Sequence, residues 1–172
     1  DYRLPALIEG KGYGMVIPKG SLYDNVYFDH GVTFDSTLNS NIYKLHYLTE
    51  PLQNYVKLFI KLPNDTIPAD KHYVARRGRR GDWSSVSTKL YNDSILQVNT
   101  NLLGDFTVKV DTVPPVIRPQ SRTSSRILLK ISDKESGVNR YEGFINGEWV
   151  LFEQDFYGRV LGTYDPVEDK TK

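Results

Sequence analysis

The sequence predicts an all-β protein made of two consecutive β-sandwich domains, the second of them incomplete. Three observations carry this. Short runs alternate apolar and polar residues with period two, the chain holds 12 Tyr and 7 Phe, and a Pro-Pro joint divides it unevenly. Aromatic and β-branched residues suit a pleated, half-buried surface.

The clearest strand is Tyr55–Leu62. Val56, Leu58, Ile60 and Leu62 share one face, while Lys57 and Lys61 mark the other as solvated. Phe106, Val108 and Val110 repeat the pattern, as do Ile127, Leu129 and Ile131 around an outward Lys130. Shorter candidates are Tyr13–Ile17, Val26–Phe28, His72–Ala75, Trp83–Lys89 and Ile95–Val98. Asn146-Gly147 lies between Tyr141–Ile145 and Glu148–Phe152. Both residues accept the positive φ of a type I′ turn, which makes this the best hairpin in the chain. A short helix or 3₁₀ turn is expected between Asn39 and Leu52.

Asp111-Thr112-Val113-Pro114-Pro115 ends the first domain. Proline donates no ladder hydrogen bond and forces the preceding residue to be extended. The expected division is 1–111 and 112–172. A two-sheet sandwich needs about 90–100 residues, so the second domain is short. Its closing strands are expected to be missing or supplied elsewhere.

With 22 Lys+Arg against 21 Asp+Glu, the net charge is +1. No overall field gathers nucleic acid or an anionic membrane, and no nucleic-acid partner is expected. No apolar run is long enough for a transmembrane segment. The absence of Cys removes disulfides, thiol catalysis and Cys-ligated zinc. Asp1 reads as a processed terminus or a fragment boundary.

The one charge cluster is Arg76-Arg77-Gly78-Arg79-Arg80-Gly81, followed by Trp83. Arg76, Arg77, Arg79, Arg80 and Trp83 are candidate contacts for an anionic ligand, because guanidinium forks match paired oxygens. The plainer reading is a solvated hairpin tip turned by glycine. Arg80-Gly81-Asp82 also spells an adhesion tripeptide, a motif without context. His30, His46 and His72 could meet Asp29 or Asp70, but their spacing matches no zinc motif. Asp133/Glu135 and Glu148/Glu153 invite a glycosidase or calcium reading. Asp133-Lys134-Glu135-Ser136-Gly137 is better explained as a tight turn with Asp and Ser capping amides. Trp83, Trp149, Phe152, Phe156 and Tyr157 could stack on sugars, yet Trp149 and Phe152 would lie on opposite faces of one strand. Core filling is then expected for one of these two.

Three stretches carry a resemblance. They are Val16–Val26, Asp111–Ile117 and Lys130–Val138, the last continuing through Tyr141–Glu153. Together they resemble the non-catalytic C-terminal region of lysostaphin-type zinc metalloendopeptidases of Gram-negative gut bacteria. The resemblance implies immunoglobulin-like modules behind a peptidase domain that cleaves cell-wall murein. It also implies an exported protein of the periplasm or outer-membrane surface. This chain has no His-x-His pair, so the family's zinc ligands do not carry over. No catalytic residue, metal ligand or cofactor is expected in it, and zinc would belong to a peptidase domain before Asp1.

The expected role is a non-enzymatic accessory module that tethers or positions the catalytic domain on an envelope polymer or envelope protein. The alternatives are a stand-alone glycan- or protein-binding module of a surface lipoprotein, and a subunit of an envelope complex closed by a strand-donating partner. Asp35-Ser36-Thr37, Asp65-Thr66-Ile67, Asp93-Ser94-Ile95 and Asp111-Thr112-Val113 resemble the O-glycosylation triplet of the same bacterial group. Average usage predicts roughly one such triplet, so Ser36, Thr66, Ser94 and Thr112 are candidate modification sites.

Overall fold

The computed structural model describes residues 1–123, 126–138, 140–154 and 159–163, the last run by its backbone. The chain divides into two compact units, Asp1–Thr112 and a second beginning at Val113. They form tandem immunoglobulin-like β-sandwich-type domains of antiparallel strands, the second less complete.

In the first unit the strands are β1 (Ala6–Gly10), β2 (Tyr13–Ile17), β3 (His30–Asp35), β4 (Ser40–Leu45), β5 (Pro51–Lys61), β6 (His72–Arg77), β7 (Trp83–Ser85), β8 (Thr88–Asn92), β9 (Ile95–Leu102) and β10 (Gly104–Val110). One sheet runs β1-β2-β5-β9-β8 and the other β3-β4-β10-β6-β7. Alternation decides what lies between them. Met15, Ile17, Val56, Leu58, Ile60, Leu96 and Val98 come from the first sheet; Tyr43, Leu45, Val74, Phe106 and Val108 come from the second. Leu62 packs against this core from just beyond β5, as its place in the alternation requires.

Three local expectations are corrected. Val26–Phe28 is loop, because these residues have no ladder partner: Tyr27 is 96% exposed and Phe28 stacks on His46. The segment from Asn39 to Leu52 holds no helix. Tyr43 and Leu45 alternate inward as strand β4, and the 3₁₀ turn lies at Ala69–Lys71. Trp83–Lys89 is interrupted at Val86, whose amide bonds to Val74, and its two parts join different sheets.

The register places the connections at two ends. One end carries the loop Pro18–Asp29, the turn His46–Glu50, Leu103 and the tip between β6 and β7. The other carries the β3–β4 and β8–β9 turns, the loop Leu62–Lys71 and the exit at Asp111. Leu62 donates to the Ser94 carbonyl at 2.9 Å and Asp111 to that of Lys71 at 2.7 Å, which ties these segments together.

The second unit has β11 (Val116–Arg122), β12 (Arg126–Ser132), β13 (Gly143–Ile145), β14 (Glu148–Val150), β15 (Phe152–Gln154) and β16 (Arg159–Thr163). A four-stranded sheet runs β11-β12-β16-β15, and β13 pairs with β14 alone. Asn146 (φ 52°) and Gly147 (φ 86°) turn that hairpin in the left-handed region that the Asn-Gly pair favours. Ile127, Leu129 and Ile131 are half-buried on one face of β12. Among the residues up to Gln154 whose burial is described, none in this unit is fully buried.

Candidate functional site

The arginine cluster lies on the β6–β7 hairpin. Arg77 pairs with Trp83 across the ladder, and Gly78 donates to the Asp82 carbonyl at 2.7 Å to close the tip. Gly81 turns at φ 87°, where a side chain would be strained. Strand alternation then separates the arginines. Arg76 stands opposite Phe106 on the core-facing side, and its Nη1 is shielded from solvent with no hydrogen-bond partner. Arg77 is on the outer face, 3.6 Å from the Asp105 carboxylate and 5.3 Å from the Trp83 ring centre. Arg79 and Arg80 are exposed at the tip, with no ion pair among the described residues. The structure thus brings Arg77 to Trp83, leaves Arg79 and Arg80 as the accessible cations, and turns Arg76 inward. Gly81 and Asp82 share that exposed tip with Arg80.

The three histidines go to different partners. His30 Nδ1 is 2.7 Å from the Tyr13 hydroxyl. His46 is buried and stacks on Phe28 with ring centres 5.0 Å apart. His72 is buried, with Nδ1 3.1 Å from the Pro68 carbonyl and Nε2 3.2 Å from Asp65 Oδ2. Among the described residues no group of three His, Cys, Asp or Glu is placed to hold a metal ion. The Asp133 turn forms as a turn: its Oδ1 accepts the amides of Glu135 at 2.7 Å and Gly137 at 3.2 Å, and Gly137 has φ 83°. The Ser136 hydroxyl donates to the Gly137 carbonyl. Glu148 and Glu153 stand on strands of different sheets.

The aromatic candidates are dispersed. Trp149 is 61% exposed and pairs across the hairpin with the equally exposed Phe144. Phe152 starts a strand of the other sheet and lies against Gly143. Phe156 and Tyr157 lie outside the described residues. Ser36, Thr66, Ser94 and Thr112 are all exposed and all lie at the Asp111 end of the first unit. In two of their triplets the aspartate also builds the turn. Asp35 Oδ1 accepts the Thr37 amide at 2.8 Å, and Asp65 Oδ1 accepts that of Ile67 at 2.9 Å.

The Ile67 amide and then His72 hold the Asp65 carboxyl below the usual range. A carboxyl depressed in the folded state adds stability above its unfolded value, about 3.9, and that stability disappears as pH falls through the folded value. Asp65→Asn should therefore lower the urea midpoint at pH 7. The difference from the parent protein should shrink as pH falls below the unfolded value and through the lower folded one. A difference that stays constant with pH would assign the loss to geometry rather than charge.

One grouping goes beyond the meeting of His30 or His46 with Asp29 that the sequence offered. Phe28, Asp29 and His30 meet Lys44, His46 and Tyr47 where β3 begins and β4 ends. Lys44 Nζ is 2.6 Å from Asp29 Oδ2 and 5.0 Å from the Tyr47 ring centre. Lys44, then Tyr47, depress the Asp29 carboxyl, and Asp29 raises Lys44. Tyr13 and Tyr43 are pushed up by burial, their rings 5.5 Å apart. His46 holds φ 63°, and nothing in its neighbours' residue types announces that conformation.

The described residues form an all-β module of antiparallel sheets, an architecture that binding and accessory domains use. Residues 1–111 match the Zu5-like domain, and the chain belongs to that family. No curated protein and no solved structure matches the chain. No helix among the described residues is long and apolar enough to cross a membrane.

Proposed function

We propose that this chain is a non-catalytic accessory region of an exported, lysostaphin-type cell-wall peptidase, acting at the periplasmic or outer-membrane surface. It tethers the enzyme to envelope polymer, which raises the enzyme's effective concentration at a polymeric substrate. The observation that carries this is the occurrence of a Zu5-like domain with a second β-unit that contains the Ser132–Glu153 stretch. The turn at Asp133 and the Asn146-Gly147 hairpin take the conformations that those residues favour. The contact on the first unit is the hairpin tip, where Arg79 and Arg80 reach anionic groups and the Arg77–Trp83 pair gives an apolar shoulder. Sugars on Ser36, Thr66, Ser94 or Thr112 would crowd the opposite end and leave the tip clear.

A second reading rests on the second unit. Val116 and Ile117 on edge strand β11 are 45% and 59% exposed. Such an edge can accept a donated strand within an envelope complex.

The intact mass of the native polypeptide separates these readings. A mass far above 19.7 kDa, beyond what sugars add, favours the peptidase. A mass near it, or above it by sugar-sized steps, favours an independent module. Changing both Arg79 and Arg80 to Ser should leave the urea midpoint unchanged and weaken binding to anionic envelope material roughly tenfold. Arg76 is kept in that variant because its buried nitrogen would confound stability with binding. Unchanged affinity would remove the tip as the contact.

A further inference from the structure

We propose that His46 is a proton-operated latch on the loop Pro18–Asp29. The proposal does not depend on the peptidase reading. The loop joins β2 to β3, and the turn after β4 fastens its last residues. The His46 amide donates to the Asp29 carbonyl at 2.7 Å, and the Asp29 amide donates to His46 Nδ1 at 3.1 Å. The Phe28 ring lies on the imidazole, 5.0 Å between centres and 21° from parallel.

A backbone amide can only donate. Nδ1 must therefore present a lone pair, with the ring neutral and its hydrogen on Nε2. In the imidazolium both nitrogens carry hydrogen, so a second donor would face the Asp29 amide. Protonation and the closed latch exclude each other. The left-handed backbone of His46 (φ 63°) sets this geometry, and the residue is only 5% exposed, so charging it in place also loses hydration. Imidazole is the side chain whose charge ordinarily changes between pH 5 and 8.

The groups around the ring come from five elements. The loop brings the Asp29 carboxylate, which favours a charged ring but is already held by Lys44 and Tyr47. Lys44 comes from β4, and Tyr47 from the turn, 4.9 Å from the imidazole centre. His30 on β3 lies beyond Phe28, 6.3 Å from it and bonded to Tyr13. From β10 the charge of Asp105 reaches Lys44. Glu50 closes the same turn through its amide to the Tyr47 carbonyl.

Residues 20–25 are fastened separately, the Gly20 amide to the Tyr2 carbonyl, the Gln53 amide to the Ser21 carbonyl and the Tyr2 amide to Asn25 Oδ1. The stretch released is therefore the one that follows, with Tyr27 96% exposed. Acid thus loosens a tyrosine-bearing stretch that neutral pH holds ordered.

The test uses the full chain and His46→Asn. Asparagine tolerates positive φ, and its side-chain oxygen replaces the Nδ1 acceptor without titrating. Hydrogen-exchange protection at Phe28, Asp29 and His30, corrected for intrinsic rates, should fall roughly tenfold from pH 7.5 to pH 5 in the parent protein. It should stay flat in the variant. Long-range ¹⁵N–¹H spectra of the parent should place the neutral ring's hydrogen on Nε2, a reading that does not need the variant to fold. Hydrogen on Nδ1, no fall in the parent, or an equal fall in His46→Asn (which would point to His30) overturns the latch.

Discussion

Replacing Phe106 by Ala is expected to lower the stability of the first unit by about 3–5 kcal/mol. Phe106 is completely buried on β10, between β4 and β6 in the register of its sheet. It shares its core with Met15, Leu58 and Val98 from the facing sheet. Its removal opens a cavity that strands pinned on both sides cannot collapse to fill. A domain is stable by only about 5–15 kcal/mol, so this one truncation removes a large part of the total. The chain has two tryptophans, and Trp83 belongs to the first unit. In a Trp149→Phe background its fluorescence should show an earlier urea midpoint with an unchanged slope. A midpoint shift worth less than about 1 kcal/mol would mean the site repacks and the core is looser than its burial implies.

Gly143→Ala is expected to be the most damaging small change in the second unit. A Cβ there would stand 2.0 Å from Phe152 Cε2 and 2.2 Å from Cδ2, so the ring must move. Relief of backbone entropy in the unfolded chain favours Ala by about 0.4–1 kcal/mol. Overpacking costs about 1–3 kcal/mol and decides the sign. Because no residue of this unit up to Gln154 whose burial is described is fully buried, little there would compensate. Trp149, opposite Phe144 on the same hairpin, reports the change by fluorescence in a Trp83→Phe background. Adding Phe152→Ala should recover part of the loss, a coupling above about 0.5 kcal/mol that neighbours in contact show. Additive effects would mean the hairpin is not seated on the Phe152 sheet.

Much of the fold was legible because a strand with one face on the core repeats with period two. β5 and β10 show this in their residues, and each buries the predicted face. β1, β3 and β11 escaped notice for the converse reason. They are edge strands, and β11 is exposed at every position, so no alternation marks them. Val26–Phe28 shows the opposite error. An apolar triplet looked like a strand, but Phe28 satisfies its apolar surface on a histidine ring rather than in a sheet.

The candidate site followed the same division. The run of arginines predicted a basic turn, and the turn is there, closed between Gly78 and Asp82. Adjacency in sequence could not tell which arginines share a surface. The pleat sends Arg76 towards the core side, while Arg77 is drawn to Asp105 on a neighbouring strand.

What the sequence determined by itself was local: the β class, the inward faces of the central strands, the Asn-Gly hairpin and the Asp133 turn. These depend on side-chain periodicity and on φ preferences within a few residues. Tertiary structure alone decided the pairing of His46 with Asp29, of His72 with Asp65, and of Gly143 with Phe152. Asp29 meets His46 through the β3–β4 register, and Asp65 meets His72 through the course of the loop Leu62–Lys71. Gly143 meets Phe152 between strands of different sheets. In the first two the chemistry depends on which atom faces which. Composition and spacing carry no information about that, because hydrogen bonds and ring contacts form between neighbours in space.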